Sequence, residues 1–491
     1  MGIERTLTAV FAGALGVVGG SVTGGSVAVV SPAFDLLVST TPGVIVNATL
    51  EALGGRAEQL LFAVAVCATG LFLAAVAYAA TQLGDRLTAG SGLLSPISAA
   101  AVGAVTMGVA TDSIGVAIGV GIGVAVGVAV DPGGYTLPDG VERTDRRRTL
   151  GLVAGTVGTV LPAAVLGRVF SGDTPPVEPI ELDERDRDAV DSYLAAADAR
   201  EFDLPGSPGL VSPIGEFYTV DINYRPPNVV REEWTLSIDG ELDRPQTFDF
   251  ESLSAEPFVT EPATLRCIGE PIDGSLMDTA IWTGVPLSRL LDRAGVRGEH
   301  AVVHGVDGYY ERLPVSLLED ALLVVAMNGQ SLPREHGYPV RIVIPGTWGK
   351  INTKWIERIE ILSEPGEGYW TNRGWNGTAP MRIVAKVGTV ERTERGILVG
   401  GHAYAGRRGI SAVELSIDGG ENWSDAELSE PIDADAAAVS RQWRYEWLPE
   451  RREYDVVVRA IDADGERQDG SERGPFPDGA SGWVTRRVRS R

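Results

Sequence analysis

The sequence predicts three structural units: an all-α membrane bundle, an α+β domain and a C-terminal β-sandwich. Residues 1–170 are rich in Ala, Val, Gly and Leu and hold several apolar stretches long enough to cross a bilayer. From Phe217 to about Arg382, short apolar runs alternate with helix-like segments and Gly/Pro turns, as in mixed α+β domains. After Arg382, period-two runs between turn residues indicate the strands of a sandwich.

The first unit contains five apolar stretches that we expect to cross a bilayer as helices, which takes about 20 residues each. They are Leu7–Val30, Leu60–Ala80, Leu93–Ala110, Ser113–Val130 and Thr149–Phe170. Arginines cluster between the fourth and fifth stretches, so the positive-inside rule predicts a cytoplasmic N-terminus. Five crossings place everything after Phe170 outside. We therefore expect a multi-pass protein of the cell membrane, with residues 1–172 as its transmembrane region and an extracytoplasmic catalytic domain.

Two features of this unit bear on export and on electron transfer. Residues Thr144–Gly155 (TDRRRTLGLVAG) resemble a twin-arginine export signal, and they fit an ordinary basic stop-transfer anchor equally well. No His occurs in residues 1–170, so no haem with axial imidazole ligands is expected in this chain. A redox function would then need a separate electron carrier.

The rest of the chain is strongly acidic. The net charge is −24, and residues 1–170, with 10 acidic and 8 basic side chains, contribute only −2 of it. Such a surface repels nucleic acid phosphates, so nucleic acid is not an expected partner. Only three bases are lysines, namely Lys350, Lys354 and Lys386. This composition indicates a halophilic protein, with codon bias as the alternative reading.

The elements after the membrane region follow in order. Residues 173–205 are rich in Pro and acidic residues and predict a linker that leads into a short polar helix. The α+β domain covers residues 206–381 and includes a helix at Pro286–Ala294. The β-sandwich covers residues 382–491, where Ile397–Ala405 and Tyr454–Asp462 alternate in period two.

Cys267, in the stretch Thr264–Pro271 (TLRCIGEP), is the one cysteine outside the apolar first third of the chain. A thiolate suits nucleophilic attack or a soft metal. Neither a Cys–His hydrolase nor a zinc site is favoured, because the four His residues are spread along the sequence and form no cluster of ligands with the cysteine. A metal that brings most of its own ligands needs only one protein thiolate, as molybdenum bound to a pterin dithiolene does.

A pterin of this kind also carries a phosphate, which requires fixed cations and backbone amides. Residues Met327–Trp355 (MNGQSLPREHGYPVRIVIPGTWGKINTKW) offer His336, Arg341 and Lys354 around Gly and Pro turns. By themselves these residues fit equally well a pair of strands with a tight turn and surface bases.

Taken together, the two stretches resemble a known family. TLRC, followed by MNG, LP, HG, PVR, PG and KW in the same order, resembles the sulfite oxidase family of molybdopterin oxidoreductases over roughly Phe217–Glu360. Residues Gly400–Trp423 resemble the immunoglobulin-like dimerisation domain of that family. The resemblance implies an α+β molybdopterin-binding domain of sulfite oxidase type, an immunoglobulin-like β-sandwich and a molybdenum–molybdopterin cofactor. It also allows a homodimer through the C-terminal domain.

The resemblance implies roles for individual residues. Cys267 would be the thiolate ligand of molybdenum. The residues implied to contact the pterin or its phosphate are Asp221, Asn223, Tyr224, Asp307, His336, Arg341, Asn352, Thr353 and Lys354. Tyr309 and Tyr310 either reach the same pocket or pack as half-buried strand aromatics.

The sequence departs from the family where a substrate would bind. Asp221, Ile222 and Asn223 stand where sulfite oxidases have an Arg-Asn-His triplet, and Glu270 and Pro271 replace a basic pair. A doubly charged oxyanion would therefore meet fewer cations and more carboxylates.

Trp375 stands at the position of the family's active-site Tyr and offers no phenolic proton. We expect the pocket around Asp221, Arg266 and Trp375 to select a small-molecule substrate. Sulfite could still bind through Arg266, Arg373 or Lys354.

The sequence thus predicts a membrane-anchored molybdenum oxidoreductase that transfers an oxygen atom on a small sulfur- or nitrogen-containing substrate outside the membrane. Its predicted catalytic residues are Cys267, Arg266 and Trp375. The alternative is a non-catalytic membrane receptor or assembly module on a degenerate enzyme scaffold. The lost Arg and Tyr motivate this alternative, and the retained cysteine and phosphate-anchoring residues oppose it.

Overall fold

The computed structural model describes residues 177–223 and 226–490, of which residues 177–221 and 226–490 form one compact unit. The five predicted membrane spans, the start of the predicted linker and Tyr224 lie outside the described residues. Within the described ranges, no helix combines the length and apolarity needed to cross a bilayer.

The predicted linker contains a 17-residue helix, α1 (Glu184–Arg200). It begins at Asp183, whose carboxylate accepts the backbone N–H of Asp186 and so satisfies an unpaired donor of the first turn. The helix is polar on most sides, but Ala197 packs in a small core with Leu210, Ile432 and Val439. The helix is therefore docked on the folded unit, whereas the composition alone predicted a spacer.

Two sheets form the α+β domain. The first has the order β2-β1-β10-β5-β6, and only the β1–β10 pair is parallel. Its strands are β1 (Thr235–Gly240), β2 (Gln246–Asp249), β5 (His300–Gly305), β6 (Tyr310–Pro314) and β10 (Ile356–Leu362). The helices of the domain are α2 (Phe250–Ser254), α3 (Leu287–Ala294) and α4 (Val315–Leu318). Helix α3 confirms the predicted helix, and its buried leucines join the main core.

The second sheet has the order β3-β4-β7-β8, with β9 also paired to β7. Its strands are β3 (Val259–Arg266), β4 (Met277–Pro286), β7 (Leu322–Met327), β8 (Gln330–Ser331) and β9 (Arg341–Val343). Every residue of β7 is buried, which explains why it is an unbroken apolar run instead of an alternating one. This sheet carries the segments on both sides of the predicted site.

The C-terminal domain is a β-sandwich, as predicted. One sheet has the order β11-β13-β17-β16, with β12 also paired to β13, and the other has the order β15-β14-β18-β19. The strands are β11 (Val384–Ala385), β12 (Thr389–Thr393), β13 (Gly396–Tyr404), β14 (Ile410–Ser416), β15 (Ser424–Asp425), β16 (Glu427–Leu428), β17 (Arg441–Trp447), β18 (Glu453–Asp462) and β19 (Val484–Arg489). Val399 and Trp443 from one sheet share a core with Val413 and Val456 from the other.

The outer edge of β3 is covered by the sandwich. The backbone N–H of Thr264 donates to the carbonyl of Ala438 at 3.0 Å, and its carbonyl accepts from the Tyr404 hydroxyl at 3.0 Å. The Thr264 hydroxyl accepts from the backbone N–H of Ser440 at 2.8 Å. These bonds satisfy the unpaired groups of a sheet edge. Cys267, which directly follows β3, therefore lies where the two domains meet.

Candidate active site

Cys267 begins the ten-residue connection between β3 and β4. Its backbone N–H donates to the carbonyl of Leu276 at 3.0 Å, so the connection is closed at its base. The side chain is half-buried. Burial raises the pKa of the thiol to about 11, against the lowering effect of a backbone hydrogen bond from Gly269. Without a metal the thiol keeps its proton at neutral pH, and a bound metal ion would favour the thiolate.

Arg266, the last residue of β3, contacts the start of the C-terminal domain. Its side chain is fully buried, and Nε donates to Glu270 Oε1 at 2.8 Å. Nη1 donates to the carbonyl of Arg382 at 3.0 Å, and the guanidinium lies 5.1 Å from the centroid of the Trp348 ring. This cation is thus enclosed between the two domains and paired with a carboxylate, while its Nη2 is buried with no hydrogen-bond partner among the described residues; the predicted contact of Arg266 with substrate stays a prediction.

Trp375 lies close to Cys267, as its predicted role requires. A Cβ atom placed on Gly269 would lie 3.8 Å from Cys267 Sγ and 3.7 Å from Trp375 Cη2. The indole is almost completely buried and packs edge-on against Phe476, with ring centroids 5.2 Å apart. Trp375 therefore forms an apolar wall close to the thiol.

Three of the predicted phosphate-binding side chains come together around Arg341, at the start of β9. Arg341 Nη1 donates to the carbonyl of His336 at 3.2 Å, and Nη2 donates to the carbonyl of Asn352 at 3.1 Å. Lys354 Nζ donates to the carbonyl of Glu335 at 2.9 Å. Because Arg341 is bonded to the segment before β9 and to the connection between β9 and β10, its guanidinium is held at a fixed position.

This group of residues fits an anion such as a phosphate. Arg341 Nε and Thr353 Oγ1 are buried, and neither has a hydrogen-bond partner within the described part of the chain. Burial lowers the pKa of Arg341 to about 10 and also lowers the pKa of Lys354, so the protein itself undercompensates these charges. Burial and the neighbouring Arg341 lower the pKa of His336 to about 4. A bound anion would offset the cost of burying the cations and use the two unpaired atoms.

Asn352 lies in the turn between β9 and β10, and its predicted contact with the cofactor stays a prediction. Its Oδ1 accepts the backbone N–H of Ile344 at 2.6 Å, and its Nδ2 donates to the carbonyl of Trp348 at 2.9 Å. The amide therefore shapes the turn between β9 and β10, and both of its polar atoms are engaged with the backbone.

Trp355 follows Lys354 and is held in the left-handed backbone region, with φ of 48°. For a bulky residue this conformation is strained and persists only where the surrounding structure enforces it. Its Nε1 donates to the carbonyl of Arg334 at 2.9 Å, and its carbonyl accepts from the N–H of Val306. The strain coincides with the segment that presents Thr353 and Lys354.

Two predicted carboxylates lie beside Lys354. Asp221 forms an ion pair with Lys354, and burial raises the pKa of its carboxyl group. Asp307 accepts the backbone N–H of Tyr309 at 3.0 Å, and burial raises its pKa to about 6. Asn223 is half-buried and directly precedes residues 224 and 225, which are not described.

Tyr218 is a further residue of the site that the sequence reasoning missed. Asp278 on β4 fixes it by accepting its backbone N–H at 2.9 Å. Burial, followed by the nearby Cys267 and Glu270, raises the pKa of the phenol well above its ordinary value, whereas Arg341 lowers it. A Cβ placed on Gly349 would lie 2.7 Å from Tyr218 Oη. The phenol therefore lies in the electrostatic surroundings of both the cysteine and the cationic group, and only its adjacency to the predicted contact Asp221 hinted at this.

A buried ion pair connects the two segments that flank the site. Lys350 Nζ lies 2.9 Å from Glu311 Oε2, and both side chains are almost completely buried. Glu311 also accepts from the Thr371 hydroxyl at 2.6 Å and from the backbone N–H of Trp370 at 3.1 Å. This network fixes the segment that leads to Trp375.

Two family models match the chain. Residues 223–370 match the oxidoreductase molybdopterin binding domain, and residues 381–469 match the Mo-co oxidoreductase dimerisation domain. The first match contains Cys267, Asp307, His336, Arg341 and Lys354.

Individual relatives agree with these models. The chain is 24% identical over 319 residues to the sulfite oxidase of Arabidopsis thaliana, an alignment that covers 52% of this chain and 81% of that protein. It is 30% identical over 227 residues to the mitochondrial sulfite oxidase of Rattus norvegicus, covering 38% of this chain and 41% of that protein. It is 26% identical to the NADH nitrate reductase of Solanum lycopersicum, covering 45% of this chain and 32% of that protein.

A solved structure shares the fold. The sulfane dehydrogenase SoxCD from Paracoccus pantotrophus matches with a TM-score of 0.50 and 21% sequence identity, over 65% of this chain and 93% of that chain. The predicted resemblance is therefore confirmed by the two domain models, by the relatives and by the fold. The two domain matches and the relatives together support a molybdopterin-dependent oxidoreductase of sulfite oxidase type.

Proposed function

We propose that this chain is a membrane-anchored enzyme that transfers an oxygen atom on a small, uncharged or singly charged sulfur or nitrogen compound outside the membrane. The observation that carries the proposal is the position of Cys267. Trp375 lies near its thiol, and the phenol of Tyr218 lies close enough that Cys267 raises its pKa and Arg341 lowers it. Molybdenum in its pterin dithiolene would supply two-electron oxygen-atom chemistry, with water as the source of the oxygen in one direction and as the product that contains it in the other.

Each residue of the site has a role in this proposal. Cys267 would bind the metal through its thiolate. Arg341, Lys354 and the Thr353 hydroxyl would hold the pterin phosphate, and Asp307 would contact the pterin. Tyr218, with its raised pKa, keeps its proton at neutral pH and would donate a hydrogen bond in the site.

The charges of the site support a substrate that is not a dianion. Arg266, Lys350 and Lys354 are each paired with a protein carboxylate, from Glu270, Glu311 and Asp221 respectively. A sulfite dianion would have to compete with these carboxylates, and it would face the Trp375 indole in place of a phenol. A neutral sulfide, sulfoxide or amine oxide needs no free cation.

The predicted membrane region and the C-terminal domain complete the proposal. We propose that residues 1–172 anchor the chain, that its oxidoreductase domain lies outside the membrane, and that two copies associate through the C-terminal domain. The match to a dimerisation-domain model supports the last point. A separate carrier would deliver or remove the two electrons of each turnover.

A substrate screen tests the proposed function. Purified full-length chain from a molybdenum-replete host would be assayed with artificial electron donors and acceptors against sulfite and a panel of neutral sulfides, sulfoxides and amine oxides. We expect turnover of a neutral compound at a kcat/KM at least about tenfold above that of sulfite. Turnover of sulfite alone would refute the substrate class, and well-folded protein without molybdenum would refute the enzyme. Topology reporters fused after Gly90 and Gly172 test the anchor, and a cytoplasmic reporter at Gly172 would contradict it.

A further inference from the structure

A buried triad of charges lies three residues from Cys267. Glu270 Oε1 accepts from Arg266 Nε at 2.8 Å and from Lys386 Nζ at 2.6 Å, and Glu270 Oε2 accepts from the same Nζ at 2.7 Å. Lys386 belongs to the C-terminal domain and lies between β11 and β12. The side chains of Arg266 and Glu270 are fully buried, and that of Lys386 is 10% exposed.

The same three groups organise the connection that Cys267 begins. Glu270 Oε2 also accepts the backbone N–H of Leu276 at 2.9 Å, and Lys386 Nζ donates to the carbonyl of Gly274 at 2.9 Å. A Cβ on Gly274 would lie 3.0 Å from Glu270 Cβ, so the connection closes tightly around this carboxylate. Cys267 is bonded to Leu276 at the base of the same connection.

General stability does not explain this arrangement well. A buried ion triad contributes little net stability, because desolvation of the three charges offsets their attraction, and apolar replacements are often neutral. Breaking one partner away is nevertheless costly, since it leaves a buried charge without compensation. An ion triad that adds little stability but is costly to break serves mainly to fix the positions of the segments that it joins. Here the fixed position is that of the connection that carries the cysteine.

We propose that Lys386 is a positioning residue: acting through Glu270, it makes the C-terminal domain hold the Cys267 connection in place for the metal. The inference rests on the proposed role of Cys267 as the metal ligand. It assigns the C-terminal domain a part in the site of its own chain, in addition to dimerisation.

The test compares the full-length molybdenum-loaded chain with three variants. Lys386→Met removes the interdomain cation, and Lys386→Arg keeps the positive charge on a guanidinium in place of the ammonium. Arg459→Met is the matched control, because Arg459 forms a comparably buried pair with Glu414 (12% and 17% exposed) inside the sandwich. Hydrogen exchange of residues 267–276 and the electron paramagnetic resonance spectrum of the bound molybdenum are measured together with the unfolding temperature.

We expect Lys386→Met to raise hydrogen exchange in residues 267–276 at least about tenfold and to shift the molybdenum spectrum. Lys386→Arg should return both toward the original values, and Arg459→Met should lower the unfolding temperature without changing either. Unchanged exchange of this segment in Lys386→Met would overturn the inference even with molybdenum bound. A starting protein without molybdenum would instead refute the proposed function, and the exchange comparison would then decide only whether Lys386 holds the Cys267 connection in place.

Should Lys386→Met fail to fold, Glu270→Gln takes its place. This change keeps the shape of the side chain and removes the charge on which Lys386 acts. Increased exchange of residues 267–276 in this variant supports the inference, and unchanged exchange contradicts it.

Discussion

Replacement of Lys354 by Met tests the phosphate site most sharply, because Lys354 has two separable roles. It pairs with the buried carboxylate of Asp221, and it is one of the cations available to an anion beside Arg341. Its side chain is only 12% exposed, so both interactions, with Asp221 and with a bound anion, take place largely shielded from water. The variant should therefore lose both folding stability and cofactor affinity.

The size of each loss follows from the structure. A phosphate that loses one charged donor loses about 1.5–3 kcal/mol, which corresponds to roughly 10- to 150-fold weaker cofactor binding. Loss of the partner of Asp221 adds an unpaired buried carboxylate, which costs at least about 1–3 kcal/mol of folding stability. The second cost should disappear in the double variant Lys354→Met/Asp221→Asn, because the unpaired charge is then gone.

The assay measures the two quantities separately. Molybdopterin retained per chain after extended dialysis, followed by the fluorescence of the oxidised pterin, reports cofactor affinity, and urea unfolding reports stability. We expect the double variant to regain stability but not cofactor. Unchanged cofactor retention in Lys354→Met would refute the assignment of Lys354 to the phosphate, and recovery of both quantities in the double variant would show that the ion pair alone matters.

Two further predictions concern acid stability and substrate size. His402 is buried, its Nε2 donates to the carbonyl of Pro208 at 2.8 Å, and burial lowers its pKa to about 4. In the unfolded chain the imidazole takes up its proton near pH 6.5, at a higher pH than in the folded chain. The folding stability that neutral His402 contributes is therefore complete above that pH, and about 3 kcal/mol of it is lost as the pH falls to about 4. His402→Gln should flatten this part of the stability profile measured by urea unfolding, and an unchanged slope would contradict the explanation. Gly269→Ala places a methyl group between Cys267 and Trp375, so we expect KM for a bulky substrate to rise at least about tenfold with an unchanged unfolding temperature. The same KM in Gly269→Ala and in the original chain would show that the substrate does not bind between Cys267 and Trp375.

Much of the described fold could be predicted from the sequence, because the patterns are local. Period-two runs predicted the strands β13 and β18, and apolar spacing predicted α3. The docking of helix α1 is the exception, because the sequence predicted a short polar helix but no packing for it. Its polar composition resembles that of a linker, and only a few residues on one side, including Ala197, show that it is docked.

The orientation of Arg266 could not be predicted in the same way. Its neighbour Cys267 is identified by a motif, but its own direction depends on its contacts with other segments. Its environment depends on Lys386, which contacts Glu270 across 116 residues of sequence. Such an interdomain contact leaves no local pattern, so the arginine beside the cysteine was predicted to face the substrate.

Asn352 and Tyr218 show the same limit at shorter range. Asn352 was predicted to contact the cofactor because it lies in a motif, whereas its amide is used by the backbone of its own turn. Tyr218 was overlooked because an aromatic residue beside Phe217 suggests ordinary packing. Its burial near Cys267 and Arg341 becomes visible only in three dimensions.

X-ray absorption spectroscopy at the molybdenum edge tests the central claim, that Cys267 is the metal ligand, most directly. The measurement compares the original chain with Cys267→Ser at matched molybdenum content and unfolding temperature. We expect one sulfur neighbour fewer around molybdenum in the variant, together with loss of turnover, because serine retains the fold but offers no thiolate. An unchanged number of sulfur neighbours, or unchanged turnover, would contradict it.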